Sequence, residues 1–220
     1  MDRIALVTDK HEPFDVLAAG VAAGPPGVLL VHDFWGVTEY NQAWAERFAA
    51  QGHRAAVVDL YDGDLPSDAD AARARMRGVR PEQAQRKLAA AVRWLAEGPG
   101  RVITLGWSFG GLHALRAALD EPERVAGCVC IYSRMIADPK ALRTLGGPVL
   151  GIYSSTERGW PEKQRRFEQA MAEAGGSAEA VLYDAGHGFC NPHSPHYDPE
   201  AAEGAVRASL GFADRIAAGT

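Results

Sequence analysis

Short apolar runs alternate along the chain with longer segments in which apolar residues recur every three or four positions. Runs of four to eight residues are typical of strands, and the longer spacing is typical of amphipathic helices. The runs predict seven or eight strands, at residues 3–8, 15–19, 27–31, 54–58, 101–107, 125–131, 148–153 and 179–183. This alternation indicates an α/β protein with a mostly parallel central sheet and helices on both faces.

The helical segments lie between these runs, at residues 41–51, 81–97, 110–120, 161–174 and 198–217. Pro81 stands in a first turn, where its missing N–H is not needed, and that helix stops at Gly98-Pro99-Gly100. Asp198 and Pro199 open the last helix with a capping oxygen and a proline. Residues 61–80 are polar and rich in Asp and Arg, so we expect a mobile connection there.

The length of 220 residues, with 47% hydrophobic and 23% charged positions, suits one core, and we expect a single domain over residues 1–220. A net charge of -5 without a basic stripe argues against a nucleic-acid partner. The charged N-terminus argues against a secretory signal, and prolines interrupt the longest uncharged stretch, so we expect a cytoplasmic protein without a membrane segment.

The three cysteines do not form a disulfide framework. Cys128 and Cys130 share an apolar run and are expected in the core, whereas Cys190 lies close enough to the candidate site to line its pocket. His193 and His196 lie in a proline-broken segment without the helical spacing of a zinc site, so we expect no metal and no cofactor.

A G-x-S-x-G pattern at residues 106–110 follows one apolar strand and precedes an apolar-periodic helix. This context is the one in which such a pattern forms a strained turn that exposes a serine oxygen at a helix N-terminus. We therefore predict that Ser108 is a nucleophile. The alternative is a glycine-rich turn in which Ser108 only caps the helix.

A serine nucleophile needs a base, and His187 lies between two glycines after the last strand. A carboxylate must in turn hold the imidazole, and Glu157 follows the strand at 148–153. Other carboxylates remain open for this role, namely Asp33, Asp138 and Asp184. The remaining histidines outside residue 32 are expected at the surface, namely His11, His53, His113, His193 and His196.

The oxyanion of an acyl-transfer intermediate needs two N–H donors, one from Phe109 and one from the loop at residues 32–36. Several aromatic residues flank these loops and are candidates to line the pocket, with core packing as the alternative: Trp35, Trp107, Tyr132, Trp160 and Phe189. An arginine cluster could bind a substrate carboxylate or form a solvated face, and it comprises Arg73, Arg75, Arg77 and Arg80.

Across nearly the whole chain these features resemble the dienelactone hydrolase family of α/β-hydrolases. The likeness rests on residues 31–37 and 59–61, on the serine turn with its double glycine, on residues 150–151 leading to Glu157, and on residues 186–189. The resemblance implies a sheet without a large cap domain, a cytoplasmic enzyme, and the N–H groups of Phe34 and Phe109 as oxyanion donors. It also implies that Asp33 approaches the nucleophile in the resting enzyme.

The chain departs from the founding members of that family at three places. Ser108 stands where they have cysteine, Glu157 stands where aspartate is usual, and residues 190–192 lack their substrate-binding arginine. The predicted function is hydrolysis of a small carboxylic ester or lactone through Ser108, His187 and Glu157, by a monomer or homodimer. The alternatives are a serine-dependent acyltransferase and a non-catalytic ligand-binding protein.

Overall fold

The computed structural model describes residues 1–20, 26–97 and 100–219, and these form one eight-stranded sheet with helices on both faces. In chain order the strands are β1 (Asp2–Val7), β2 (Pro13–Ala19), β3 (Gly27–Val31), β4 (Ala55–Val58), β5 (Val102–Trp107), β6 (Val125–Ile131), β7 (Val149–Ser154) and β8 (Ala178–Tyr183). Across the sheet the order is β1-β2-β4-β3-β5-β6-β7-β8.

The sheet is mostly parallel, as predicted. Only β2 breaks the pattern, because it pairs antiparallel with both β1 and β4. From β4 to β8 every neighbouring pair is parallel, so the carboxyl ends of β3, β5, β7 and β8 open at one edge of the sheet. The loops that leave this edge carry the predicted chemistry.

The helices are α1 (Glu39–Ala50), α2 (Ala69–Gly78), α3 (Pro81–Leu95), α4 (Phe109–Asp120), α5 (Pro139–Leu142), α6 (Glu162–Ala174) and α7 (Pro199–Ala218). Alternate side chains of β3 are buried on opposite faces of the sheet. Leu29 and Val31 belong to the core layer that includes α3, α4 and α6, whereas Val28 and Leu30 belong to the layer that includes α1 and α7. Burial on both faces explains why the central strands are apolar throughout.

The expected connection over residues 61–80 was wrong in part, because α2 occupies residues 69–78. The Asp68 carboxylate caps this helix by accepting the N–H groups of Asp70 and Ala71 at 3.0 and 2.9 Å. Of its residues only Ala72 is buried, so α2 has little hydrophobic periodicity to reveal it.

The helices α1, α3, α4, α6 and α7 agree with the predicted segments except at their ends. The predicted stop at Gly98-Pro99-Gly100 lies partly outside the described residues, since residues 98 and 99 are not described. Between β6 and β7 lies α5, a helix of 4 residues, and the described residues form no cap domain over the sheet. None of the described helices is long and apolar enough to cross a bilayer.

Candidate active site

Ser108 sits at the turn between β5 and α4 with backbone angles φ 50° and ψ -110°. A positive φ is strained for any residue with a side chain. Flanking glycines permit this turn, since a Cβ on Gly106 would lie 2.3 Å from the carbonyl of Gly110, and one on Gly110 would lie 2.1 Å from the oxygen of Val31. The structure thus requires glycine at both positions of the G-x-S-x-G pattern.

His187 lies on the loop after β8, and its Nε2 is 2.8 Å from Oγ of Ser108. The loop is folded into tight turns in which the N–H of Phe189 donates to Gly186 at 3.1 Å. The imidazole packs against the ring of Tyr132 with 5.1 Å between ring centres. Although residues 108 and 187 are far apart in sequence, the parallel strands bring both side chains to one edge of the sheet.

Glu157 follows β7, and its Oε1 lies 3.2 Å from Nδ1 of His187. The same oxygen accepts a hydrogen bond from Nζ of Lys163 at 2.8 Å. Burial raises the pKa of Glu157, but its contacts with His187 and Lys163 outweigh burial and leave this pKa below its ordinary value. Glu157 therefore keeps its negative charge beside the imidazole.

The rival carboxylates have other partners. Asp138 caps α5 by accepting the N–H of Lys140 at 3.0 Å, and Asp184 accepts the hydroxyl of Ser155 at 2.6 Å. Of the four carboxylates weighed from the sequence, the structure brings Glu157 to Nδ1 of His187.

Asp33 lines the same cavity as Ser108, but its hydrogen bonds point elsewhere. Its carboxylate accepts the hydroxyl of Tyr40 at 2.7 Å, the amide of Asn191 at 3.0 Å and the N–H of Trp35 at 2.8 Å. No hydrogen bond joins the Asp33 carboxylate to Ser108 among the described residues, and groups from α1 and from the loop after His187 bind it instead.

His32 is fully buried, and two hydrogen bonds of its ring hold the start of the loop that carries Asp33. Nε2 of His32 accepts the N–H of Leu60 at 3.1 Å, so Nδ1 carries the proton and donates to the carbonyl of Asp33 at 2.6 Å. Burial lowers the pKa of His32, which keeps the ring neutral in this tautomer. This arrangement fixes the backbone just before Phe34.

The two expected oxyanion donors lie in different parts of the fold, one at the start of α4 and the other in the loop after β3. Phe109 is the first residue of α4, so its N–H has no carbonyl partner within the helix. Phe34 lies between Asp33 and Trp35, and its N–H donates to no group in the described part of the chain. Both N–H groups remain available to a ligand.

Ser108 and His187 open into a cavity of about 260 Å³. Of the aromatic residues proposed as its lining, Trp35 and Tyr132 lie on the wall. Trp107 and Phe189 are instead fully buried in the core, and Trp160 donates its Nε1 hydrogen to Gln164 at 3.0 Å. Trp107 and Phe189 belong to the same buried cluster, so the core-packing alternative holds for these two rings.

The remaining wall comes from α2 and from the loop after His187. Ala69 and Arg73 of α2 form one side, and the loop after His187 contributes Asn191, Ser194, Pro195 and His196. Of the arginine cluster, Arg73 therefore reaches the cavity, whereas Arg75 donates to the carbonyl of Tyr61.

Two histidines expected at the surface are buried, which corrects that prediction. His53 is 4% exposed and His113 is 5% exposed, and the ring of His113 packs against Phe109 with 4.5 Å between centres. The cysteines are free and buried, as expected for Cys128 and Cys130. Burial raises the pKa of Cys190, which keeps this thiol protonated and unreactive.

Comparison with known proteins identifies the family of the chain. The model of the dienelactone hydrolase family matches residues 14–216. A protein of Methylorubrum extorquens with the provisional name carboxymethylenebutenolidase is 31% identical over 202 residues, which are 82% of this chain and 69% of the relative.

Solved structures agree on the fold. A protein of Klebsiella pneumoniae, provisionally described as a dienelactone hydrolase, superposes with a TM-score of 0.81 at 22% identity, covering 98% of this chain and 100% of the other. The dienelactone hydrolase of Anabaena variabilis gives a TM-score of 0.72 at 21% identity, covering 96% and 95%. With a family match over almost its whole length and this α/β-hydrolase fold, the chain belongs to the dienelactone hydrolase family and is a hydrolase.

Proposed function

We propose that the protein hydrolyses a small carboxylic ester or lactone through a triad of Ser108, His187 and Glu157 and an acyl-enzyme intermediate. The observation that carries this proposal is the 2.8 Å contact between Oγ of Ser108 and Nε2 of His187 at a strained turn. A serine oxygen at this distance from an imidazole can lose its proton as it attacks.

In the first half-reaction, Oγ of Ser108 attacks the substrate carbonyl carbon while Nε2 of His187 takes the serine proton. The carbonyl oxygen becomes an oxyanion that accepts hydrogen bonds from the N–H groups of Phe34 and Phe109. His187 then gives the proton to the departing alkoxide, and the acyl group stays on Ser108. When the substrate is a lactone, the acyl group and the new hydroxyl stay joined in one molecule.

The second half-reaction uses the same groups in reverse. A water molecule gives its proton to His187 and attacks the acyl carbon, and the proton returns to Oγ of Ser108 as the acid departs. Glu157 offsets the positive charge that the imidazole acquires in both steps, since its Oε1 lies 3.2 Å from Nδ1.

The cavity favours a small substrate with an apolar body. A volume of about 260 Å³ and the rings of Phe34, Trp35 and Tyr132 suit a compact acyl group. The name of the Methylorubrum relative denotes a lactone with a carboxymethylene group. In this chain the cation on the cavity wall is Arg73, so we infer that a carboxylate on the substrate would bind there.

The experiment is hydrolysis of p-nitrophenyl acetate and butyrate, followed before and during steady state. We expect a burst of one p-nitrophenol per enzyme, and Ser108→Ala should lose at least about a thousandfold in kcat while keeping its unfolding temperature. Ser133→Ala is the matched control, since Ser133 is a buried serine outside the triad. Full activity in Ser108→Ala would contradict the proposal.

A competing acceptor separates hydrolysis from acyl transfer. An added alcohol or thiol should leave the yield of free acid nearly unchanged if water is the preferred acceptor. Predominant formation of a new ester or thioester would instead show a transferase.

A further inference from the structure

Lys163 contacts the proposed triad acid although it lies outside the triad. Its Nζ is 2.8 Å from Oε1 of Glu157, and the same oxygen is 3.2 Å from Nδ1 of His187. One carboxylate oxygen therefore contacts two groups, the ammonium of Lys163 and the imidazole of His187, which is positively charged when protonated. The lysine is the nearer of the two.

The pair of Lys163 and Glu157 is shielded from solvent more than an ordinary surface ion pair. The side chains are 19% and 16% exposed, respectively. At such sites the effective dielectric constant is well below that of water, so each charge acts more strongly on its neighbour. A full positive charge beside Oε1 thus changes what the carboxylate can do for His187.

The position of Lys163 is fixed by the helix that carries it. Lys163 lies in the first turn of α6, and the carbonyl of Gly159 accepts its N–H at 2.9 Å. Further along the same helix, Phe167 and Met171 are buried in the core. The ammonium therefore reaches Glu157 from an anchored element.

Other charged groups near this pair border a cavity that Lys163 shares. Asp138, Glu162 and Arg166 line an open cavity that Lys163 also borders, and Glu162 pairs with Arg165 at 3.0 Å. On the imidazole side, His187 is the titratable group that faces Glu157. Lys163 is thus the cation that acts on the carboxylate directly.

We propose that Lys163 is a positioning residue that sets the lower pH limit of hydrolysis by sharing the Glu157 carboxylate with His187. The inference rests on the proposed function and deepens it. A carboxylate alone beside an imidazole favours the protonated ring, which cannot act as a base. A cation on the same oxygen draws on the same negative charge and so weakens that effect.

Lys163 also keeps the carboxylate ionised in acid. The contacts of Glu157 with His187 and Lys163 together outweigh burial and lower its pKa. The ring consequently keeps its negatively charged partner at pH values where a buried glutamate without such contacts would be protonated.

The test is the pH dependence of kcat/KM for p-nitrophenyl acetate in a series of variants at position 163. Lys163→Met removes the charge and keeps the length of the side chain, Lys163→Gln keeps a neutral donor, and Lys163→Arg keeps the charge. Arg166→Gln is the matched control, because Arg166 borders the same cavity without an ion pair to Glu157 in the described residues.

We expect the midpoint of the acidic limb to move up by about one pH unit in Lys163→Met and Lys163→Gln. It should stay within about 0.2 units in Lys163→Arg, which keeps the charge beside Glu157, and in Arg166→Gln, which removes a charge that does not pair with Glu157. An unmoved limb in both neutral variants, with their unfolding temperatures unchanged, would overturn the inference. An equal shift in Lys163→Arg would overturn it as well, because charge would not be the cause.

Labelling of Ser108 by a fluorophosphonate separates this inference from the proposed function. Stoichiometric labelling in wild type and in every variant, together with an unmoved acidic limb, would refute the role of Lys163 alone. Absence of labelling in wild type would refute the triad and the role of Lys163 with it.

Discussion

Asp33 joins two loops that meet at the active site. The residue is 3% exposed, and its carboxylate accepts hydrogen bonds from Asn191 in the loop after His187, from Tyr40 of α1 and from the N–H of Trp35. One of these loops carries Phe34 and the other follows His187. The relative position of the oxyanion donor and the base therefore depends on this buried acceptor.

Replacing Asp33 with Asn should weaken both the fold and the reaction. Both carboxylate oxygens of Asp33 accept hydrogen bonds, so either orientation of the new amide sets its NH2 against a donor, and we expect a loss of about 1–3 kcal/mol in unfolding free energy. We also expect a fall of about tenfold or more in kcat, larger than the change in KM. Urea unfolding and steady-state kinetics give these values.

The control for Asp33→Asn is Glu39→Gln, since the side chain of Glu39 is 91% exposed. This variant should match wild type in stability and kcat. If Asp33→Asn also matched wild type, the carboxylate would have no part in holding the loops.

This network shows why the sequence predicts some site residues and not others. Ser108 and His187 stand in local patterns of glycine and strand that signal their role. Asp33 and Asn191 are 158 residues apart. Lys163 contacts Glu157 because the first turn of α6 places its side chain there. Their roles depend on side-chain contacts that no local pattern records.

Among the elements, α2 has the most direct bearing on substrate choice. Ala69 and Arg73 line the cavity, and Arg73 also pairs with Asp70 at 2.6 Å on an exposed face. The helix thus brings one guanidinium to the wall of a cavity that also holds the rings of Phe34, Trp35 and Tyr132.

Arg73→Gln should discriminate between matched substrates. For an ester whose acyl group carries a carboxylate, we expect KM to rise about tenfold, because an exposed charge-assisted contact contributes about 1 kcal/mol or slightly more. For the neutral ester of equal length, KM should change less than twofold. Arg77→Gln, on the same helix but away from the cavity wall, should change neither value.

Equal KM changes for the charged and neutral esters would contradict a carboxylate site at Arg73. The kinetics of both esters should be measured at the same ionic strength, since salt screens an exposed charge.

The same helix marks the limit of sequence-based prediction at the level of elements. The strands and the other long helices follow from apolar runs and from start and stop residues such as Pro81 and Asp198. With Ala72 as its single buried residue, α2 lacks a hydrophobic stripe. The sequence does carry one signal for α2, which is Asp68 just before its first residue, since aspartate is a preferred helix cap.

For the whole molecule, buried histidines make stability depend on pH. Burial, with a smaller contribution from Arg116, lowers the pKa of His113 to about 4. The ordinary value is 6.5, so between pH 6.5 and 4 the unfolded chain binds a proton that the folded protein does not. Stability should therefore fall as the pH is lowered through this window.

We expect His113 to account for about 2 kcal/mol of the stability lost between pH 7 and pH 5. Urea unfolding at the two pH values should show a smaller loss for His113→Gln than for wild type, whatever the cost of the substitution itself. His32 should leave part of the dependence in place, because burial lowers its pKa also.

His11→Asn is the control, since His11 is exposed and asparagine tolerates its positive φ of 59°. This variant should keep the wild-type pH dependence. Equal losses in wild type and His113→Gln would rule out a contribution from His113.

The central claim is that Ser108 is an activated nucleophile, and its most direct test is intact-mass and peptide analysis after exposure to a fluorophosphonate. We expect one adduct per chain, located on Ser108, and none in Ser108→Ala. His187→Ala should slow labelling by at least about a hundredfold, because the serine would lose its base. Labelling of wild type at another residue, or no labelling at all, would contradict the account.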